Sequence, residues 1–229
     1  MSGASQNGSS RNSAGGTRAR GRPRSAEADR AILQAFLTQL IQEGFAALRL
    51  EHVAARARVA KATIYRRWPS KEALALDLLM QLAAPHISIE DVGDTRAELL
   101  AAVTNALRAV TDTPFGPVIR ALLSQIAINP ALGDPFRASV VQGRRDEVAR
   151  VIARGISRGD LRTDADVDVA TELLVGPVYF RLMFGGELSQ DFAERVVESV
   201  LRGVAARGAA TGGSPTAHGR GPTARHVRP

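Results

Sequence analysis

The sequence predicts an all-α protein with two helical domains, and three observations lead to this prediction. Between the two ends of the chain, apolar residues recur at the period of amphipathic helices. Gly, Pro and capping residues interrupt this pattern and mark where helices begin and end. The chain has 229 residues, of which 45% are hydrophobic, so it is able to bury a core.

The first predicted helix covers residues 26 to 43. Its apolar residues form one stripe along the helix, which consists of Ile32, Leu33, Phe36, Leu37, Leu40 and Ile41. Gly44 then favours a left-handed backbone conformation, which would end the helix. Phe45 occupies the position at which such a C-cap takes an apolar residue that packs back on the helix. The helix is therefore expected to end at Gly44.

Three shorter elements follow the first helix. A second helix is predicted from about Leu50 to Arg56 and, after a short break, a third from about Lys61 to Arg67, which ends before Pro69. Ser70 is a good N-cap for a fourth helix from Lys71 to Ala84. Two short helices joined by a tight turn and braced by a longer one predict a helix-turn-helix.

The rest of the chain is predicted to be helical as well. Thr95 and Glu98 have the spacing of a capping box, so they are expected to open the first helix of this region. Gly176 and Pro177 interrupt an apolar helical pattern and predict a kink, because proline removes one backbone hydrogen bond. The expected helices cover residues 95 to 112, a segment that ends near 129, and residues 135 to 158, 166 to 184 and 189 to 206.

Charge is distributed unevenly along the chain, whose formal net charge is +7. Residues 45 to 71 contain seven basic residues and one acidic residue, whereas residues 72 to 206 contain 13 basic and 19 acidic residues. Residues 1 to 25 carry five Arg and no acidic residue. A polyanion would therefore be attracted to the N-terminal part of the chain and repelled by the remainder.

Both ends of the chain are rich in Gly, Ser, Arg and Pro and lack periodic apolar residues, so residues 1 to 24 and 208 to 229 are expected to be disordered. Residues 20 to 24 resemble the core of an AT-hook, in which Arg22 and Arg24 would enter a narrow minor groove. A solvated tail is the alternative. The predicted domains between the two ends are a DNA-binding domain of residues 25 to 72 and a helical domain of residues 73 to 207.

Residues 44 to 74 match, in order, the signature of the TetR family of bacterial transcriptional regulators, and the chain resembles that family. The matching residues are Gly44, Phe45, Val53, Ala54, Ala57, Val59, Lys61, Thr63, Ile64, Tyr65, Pro69, Ser70, Lys71, Glu72 and Leu74, with Trp68 in a position usually held by Phe. The resemblance implies a regulator, a repressor in most members, that binds a palindromic operator in double-stranded DNA. It places the recognition helix at residues 61 to 67.

The resemblance also assigns roles to single residues in this region. Val59, Ile64 and Trp68 would face the interior, which leaves the polar residues between them to face the major groove. Tyr65, Arg67 and Lys71 would bind phosphates. The full set of predicted DNA-binding residues is Arg22, Arg24, Arg49, Lys61, Ala62, Thr63, Tyr65, Arg66, Arg67 and Lys71.

Three departures from the family pattern bear on the strength of DNA binding. Arg58 replaces the usual Gly of the turn, which would cost about 1 to 2 kcal/mol if the backbone there is left-handed. Ala60 replaces the usual Ser and loses an N-cap worth roughly 1 kcal/mol. Leu48 and Arg49 replace the Thr or Ser pair that caps the second helix, and Arg49 is able to recover only the phosphate contact.

The C-terminal part resembles a TetR-type regulatory domain, including a GPVYFR-like stretch at residues 176 to 181. The resemblance implies a homodimer formed through the last two helices and a cavity for a small-molecule effector among the middle helices. The expected ligand contacts are Phe115, Tyr179, Arg181 and Met183. The expected dimer interface consists of Leu173, Leu174, Val178, Leu182, Val196, Val197, Val200 and Leu201, with an ordinary intrachain core as the alternative.

Two other functions stay open. An enzyme is disfavoured because no two of the four His residues are spaced as metal ligands, and no H-E-x-x-H, G-x-S-x-G or phosphate-loop pattern occurs. We expect neither a cofactor nor a metal. The second alternative is a dimeric small-molecule binder with an impaired DNA-binding domain, which the departures at Leu48, Arg58 and Ala60 favour. The chain has no Cys, no apolar run of membrane-spanning length and no signal peptide, so a cytoplasmic protein without a membrane partner is expected.

Overall fold

The computed structural model of the chain describes residues 22–204, with side chains from residue 26 to residue 203. Helices and loops make up this part of the chain. It divides into two compact units, with the division between Leu78 and Leu79. The all-α fold predicted from the apolar period is confirmed.

Four helices within the described residues begin in the N-terminal unit: α1 (Arg22–Ala47), α2 (Leu50–Ala57), α3 (Lys61–Arg67) and α4 (Lys71–Ala83), of which α4 continues past the division after Leu78. Gly44 breaks α1 at the residue that the sequence predicted, but its φ of 75° and ψ of 165° differ from the expected left-handed cap, and helical residues continue to Ala47. The start of α1 is earlier than predicted, because Pro23 is tolerated in the first turn of a helix, where its missing N–H would be unpaired in any case. Residues 22–24 are thus helical and not extended, while the rest of the predicted basic arm and the side chains of Arg22 and Arg24 lie outside the described residues.

The core of the N-terminal unit lies on one face of α1. Ile32 and Phe36 are fully buried, and Gln39 and Leu40 are buried beside them. Ile41, which the predicted stripe included, is 52% exposed. At about 100° per residue, Ile41 lies about 180° around the helix from Ile32, on the solvent side. The buried face is therefore narrower than the apolar pattern suggested.

The turns of the helix-turn-helix show where its sequence departs from good capping. Arg58 has a φ of 54° and a ψ of 41°, and it is the non-glycine residue of the described chain with a positive φ. Neither Arg49 nor Ala60 provides a side-chain cap for α2 or α3. The predicted cap of α4 is present, since the Ser70 Oγ accepts a hydrogen bond of 3.1 Å from the Ala73 N–H. Trp68 is buried, and its indole N–H donates to the Asp77 carboxylate at 2.8 Å.

The C-terminal unit continues with a 3₁₀ turn and six helices within the described residues: Ala84–His86, α5 (Thr95–Thr111), α6 (Phe115–Ile128), α7 (Pro130–Phe136), α8 (Gln142–Arg158), α9 (Val167–Phe184) and α10 (Gln190–Val204). A π-helical segment, Arg137–Val141, joins α7 to α8. Gly159 ends α8 in a left-handed conformation, as predicted. α9 continues through Gly176 and Pro177 as one helix.

One predicted helix start and one predicted helix cap in this unit are wrong. The long segment expected from residue 135 begins at Pro130, because the Asn129 side chain accepts from the Ala131 N–H and Pro130 suits the first turn. Pro135 therefore lies inside α7. The capping box expected at Thr95 and Glu98 does not form either, since Asp94 caps α5 by accepting from the Ala97 N–H.

Thr95 and Glu98 instead connect α5 to α8. The Glu98 carboxylate is fully buried and accepts hydrogen bonds from Arg154 at 2.5 and 2.9 Å and from Arg158 at 2.9 and 3.2 Å. Thr95 and Leu161 approach Gly155 so closely that a Cβ there would lie 2.8 Å from a carbon of each. A larger residue than Gly at position 155 would therefore push α8 away from these arginine contacts.

The Glu98 cluster yields a stability prediction. Glu98→Gln removes the buried negative charge that Arg154 and Arg158 share, and we expect a loss of about 2 to 3 kcal/mol in the free energy of unfolding, below the usual range because both arginines are partly exposed. The matched control is Asp91→Asn, since Asp91 lies 3.4 and 3.8 Å from the same two arginines but is mostly exposed. Its loss should stay under about 1 kcal/mol. Equal losses in urea denaturation of the two variants would contradict the prediction.

Candidate DNA-binding surface and ligand cavity

The recognition helix predicted from the sequence, α3, has one buried and one exposed face. Ile64 is fully buried and anchors the helix to the core. Lys61, Ala62, Tyr65 and Arg66 are exposed, and Thr63 is half-buried. The seven-residue helix thus presents a short row of polar side chains to solvent.

Lys61 is paired across the turn with Glu51 of α2. The hydrogen bond between them lowers the pKa of the Glu51 carboxyl and raises the pKa of the Lys61 ammonium. The Lys61 ammonium also lies 5.4 Å from the centre of the Tyr65 ring. Both members of the pair are therefore charged at neutral pH, and Lys61 has to exchange Glu51 for any DNA group it contacts.

Two predicted phosphate contacts, Arg67 and Lys71, are engaged within the N-terminal unit. Arg67 forms an ion pair of 2.5 Å with Asp29 of α1 and lies 5.1 Å from the centre of the Trp68 ring. The Lys71 ammonium donates to the Phe45 carbonyl at 2.9 Å and lies 4.5 Å from the Phe45 ring. A phosphate contact by Arg67 would therefore compete with its ion pair to Asp29, whereas Lys71 has further N–H donors and is able to bind a phosphate while it keeps the Phe45 carbonyl.

Other basic side chains of this unit have no such partner. Within residues 26–203, no carboxylate lies within 4.0 Å of the exposed side chains of Arg49, Arg56, Arg58 and Arg66. Arg49 and Arg66 were predicted to contact DNA. Arg56 and Arg58 were not, although the excess of basic residues between positions 45 and 71 already included them.

A cavity of about 330 Å³ lies in the C-terminal unit between α6, the π-helical segment with the start of α8, and α9. Its wall is mainly apolar and includes Ile119, Leu123, Phe136, Val140, Val141 and Val175. Gly176 faces it, and a Cβ at that position would have no atom within 4 Å. The glycine of α9 therefore adds space to the cavity and does not serve close packing of two helices within the protomer.

The structure places the four predicted ligand contacts in different surroundings. Tyr179 and Met183 line the cavity. Phe115 is fully buried in the core of the unit and does not line it. Arg181 lies about 200° around α9 from Tyr179. Its guanidinium packs 3.6 Å from the centre of the Phe192 ring and donates to the Glu187 carbonyl, so it is not a cavity residue.

Sequence reasoning missed several polar residues at the cavity. Arg144, Arg145, Thr171 and Glu172 line it together with the apolar residues. Thr171 is identifiable in retrospect, because it precedes Tyr179 by eight residues and shares its face of α9. Arg144 carries no comparable sequence signal, since α8 contains several arginines.

Most of the predicted dimer seam lies in the core of the protomer. The buried members are Leu174, Val178, Leu182, Val196, Val197 and Val200, while Leu201 is half-buried and Leu173 is 52% exposed. These six residues thus belong to the core of the protomer, as the alternative expected, and whether any of them also reaches a second copy stays a prediction. α9 is apolar on more than one face, so its pattern does not reveal which face packs against α5 and α10.

A different apolar stripe of α9 faces solvent in the protomer. It consists of Val169, Leu173, Phe180 and Phe184, which are 49%, 52%, 64% and 77% exposed. The rings of Phe180 and Phe184 lie 5.0 Å apart. We call these four residues the α9 stripe.

Comparison with known proteins identifies both units. Residues 32–78 match the family model "Bacterial regulatory proteins, tetR family", and residues 89–200 match "Tetracyclin repressor-like, C-terminal domain". The HTH-type transcriptional regulator YdeS of Bacillus subtilis is 32% identical over 83% of this chain and 96% of its own length. The chain belongs to the TetR family of transcriptional regulators. The N-terminal unit is therefore its helix-turn-helix DNA-binding domain and the C-terminal unit its regulatory domain.

Other TetR-family members show the same likeness. The DNA-binding transcriptional repressor TetR of Mycobacteroides abscessus is 30% identical over 80% of this chain and 94% of its own length. The crystal structure of the TetR family transcription regulator SCO0332 has a TM-score of 0.61 and 33% identity, and the match covers 79% of this chain and all of that one. Among the described residues, no helix is long and apolar enough to cross a membrane.

The Lys61–Glu51 pair yields a prediction for DNA binding. Glu51→Gln removes a negative charge near the recognition helix and frees Lys61, so affinity for duplex DNA should rise roughly two- to tenfold at low salt. Glu43→Gln is the control, because it makes the same charge change at an exposed position of α1. Fluorescence anisotropy with labelled DNA measures both variants. An unchanged affinity for Glu51→Gln would show that Lys61 does not contact DNA.

Proposed function

We propose that this TetR-family protein is a dimeric repressor that binds a palindromic operator and releases it when a small molecule enters the cavity of its regulatory domain. The apolar cavity of about 330 Å³ carries this proposal, because a space of this size lies in the range of small-molecule sites, roughly 300 to 1,000 Å³. The similar M. abscessus protein is a DNA-binding transcriptional repressor, which favours repression.

DNA recognition is assigned to the exposed face of α3. A short helix held by Ile64 fits the major groove with Lys61, Thr63, Tyr65 and Arg66 toward base edges. The unpaired Arg49 is suited to a phosphate. Arg67 and Lys71 contribute mainly by holding the recognition helix in place.

Dimerisation is assigned to the α9 stripe. Exposed apolar side chains that follow one another along a helix are typical of a surface that another protein covers. A helix-turn-helix dimer reads two half-sites about 34 to 36 Å apart, so the dimer contact fixes the spacing of the recognition helices. A ligand that binds the non-DNA conformation more tightly then releases the operator, with a coupling of typically about 1 to 3 kcal/mol.

One set of observations favours the alternative in which DNA binding is impaired. The strained backbone of Arg58, the missing caps of α2 and α3, and the engagement of Lys61 by Glu51 all weaken the DNA-binding domain. A footprint on the intergenic DNA upstream of the gene decides between the two functions. Protection of an inverted repeat supports the repressor, and its absence at low salt supports a ligand-binding protein without operator activity.

Filling the cavity tests the switch. Gly176→Leu adds a side chain at the edge of the cavity, but position 176 also lies between Leu173 and Phe180 of the α9 stripe, so light scattering first has to show that the variant is a dimer. Compounds that release the native protein should then lose their effect on it. Gly203→Leu is the matched control, because position 203 is also helical with no atom within 4 Å of a Cβ. It should respond to compounds as the native chain does. Normal release of Gly176→Leu by such a compound would place the effector elsewhere.

A charge in the α9 stripe tests the dimer. Leu173→Glu or Phe180→Glu would bury an unpaired carboxylate in the proposed interface and should give monomers that bind the operator at least about a hundredfold more weakly. Val92→Glu is the control, because Val92 is an exposed apolar residue outside α9. Val197 is unsuitable, since it is fully buried in the protomer. Light scattering gives the mass, and a monomer with native affinity would refute the dimeric mechanism.

A further inference from the structure

Arg144 is a buried cation on the wall of the cavity. Its side chain comes from the first turn of α8, and the residue is 6% exposed. The Nη2 atom is buried and has no hydrogen-bond partner. Burying a charged donor without a partner is costly, so a partner for this nitrogen that lies outside the chain is expected.

The neighbouring acidic groups do not neutralise Arg144. Within the described residues, no carboxylate lies within 4.0 Å of its guanidinium, although ion pairs of the neighbouring Arg145 and of two other α8 arginines are present. Asp168 is bound by Arg145. Glu172 also lines the cavity, but its side chain is exposed. The buried side chain of Arg144 thus places a positive charge without a carboxylate partner, among the described residues, at the wall of the cavity.

Tyr179 supplies a second polar group at the same wall. Burial raises the pKa of its phenol, and the charge of Arg144 lowers it to a smaller extent. The phenol is therefore neutral at physiological pH and retains an O–H that is able to donate. A guanidinium and a phenol in an otherwise apolar cavity provide donors for one oxyanion and an apolar surface for the remainder of a molecule.

We propose that the effector is an amphipathic carboxylic acid whose carboxylate binds Arg144 and whose apolar body fills the space toward α6 and Met183. A carboxylate suits one guanidinium better than a phosphate dianion, which would need more donors. The cavity volume of about 330 Å³ lies at the lower end of the range of small-molecule sites, roughly 300 to 1,000 Å³, which favours a small acid. The regulatory consequence rests on the proposed function, whereas the binding site itself does not.

Matched probes test this chemistry without DNA. 4-Phenylbutyrate and 4-phenylbutyramide have the same shape and size and differ in charge, as do octanoate and octanamide. Titration calorimetry on the full chain should show binding of at least one of the two acids. Any acid that binds should do so at least about tenfold more tightly than the amide of the same shape. Equal affinities for acid and amide, or no binding of either acid, would overturn the proposal.

Two variants test whether Arg144 causes the preference for the acid over the amide. Arg144→Met keeps an apolar side chain of similar length and should abolish the preference for the acid, whereas Arg145→Met, at a cavity residue paired with Asp168, should keep it. Because Arg144→Met removes an unpaired buried charge, its melting temperature should equal or exceed that of the native chain, so lost binding would not reflect unfolding. A preference that survives in Arg144→Met would contradict the proposal.

The same probes separate this inference from the proposed function. If the native chain prefers the acids and Arg144→Met does not, the site is established whatever happens to DNA. Adding 4-phenylbutyrate and octanoate to the operator complex then tests regulation alone. Binding without release would count against the repressor mechanism and leave the carboxylate site intact.

Discussion

The pairing of Glu98 with Arg154 and Arg158 is the interaction on which the regulatory domain depends. A fully buried carboxylate is tolerated only with strong partners, and these two arginines together donate four hydrogen bonds to it. Because Glu98 lies on α5 and both arginines lie on α8, the pairing fixes the position of one helix against the other. Gly155 allows this approach, since any Cβ there would collide with Thr95 and Leu161.

Fixing α8 has a consequence at its other end. The first turn of α8 carries Arg144, which lacks the compensation that Glu98 gives to Arg154 and Arg158. A side chain on a mobile segment would move its unpaired guanidinium into water. Arg144 instead belongs to α8, whose position is fixed by the pairing of Arg154 and Arg158 with Glu98. The π-helical segment that precedes α8 also lines the cavity through Val140 and Val141, and such segments are frequent at functional sites. The stability that the Glu98 pairing gives to α8 thus offsets the unfavourable free energy of burying the charge of Arg144 at the cavity.

Local sequence signals predicted the helix-turn-helix well because its boundaries are set locally. α3 begins and ends where the sequence placed it, and the Ser70 cap and the break at Gly44 depend on a few neighbouring residues. The regulatory domain was harder to predict for the opposite reason. Asp94 and Thr95 are both capping residues, and tertiary contacts of Thr95 and Glu98 decide between them. Likewise, only packing shows that the buried guanidinium of the cavity belongs to α8 and not to α9.

The number of half-sites that one protein contacts explains why dimerisation matters to operator binding. Arg67 is paired with Asp29, whereas Arg49, Arg56, Arg58 and Arg66 have no carboxylate partner among the described residues and Lys71, bonded to the neutral Phe45 carbonyl, keeps its charge. One domain alone would displace only the counterions of a single half-site. In the proposed dimer, binding of the first half-site makes the second contact intramolecular, which raises affinity without any new contact. The α9 stripe would then contribute more to operator affinity than any single basic side chain of α3.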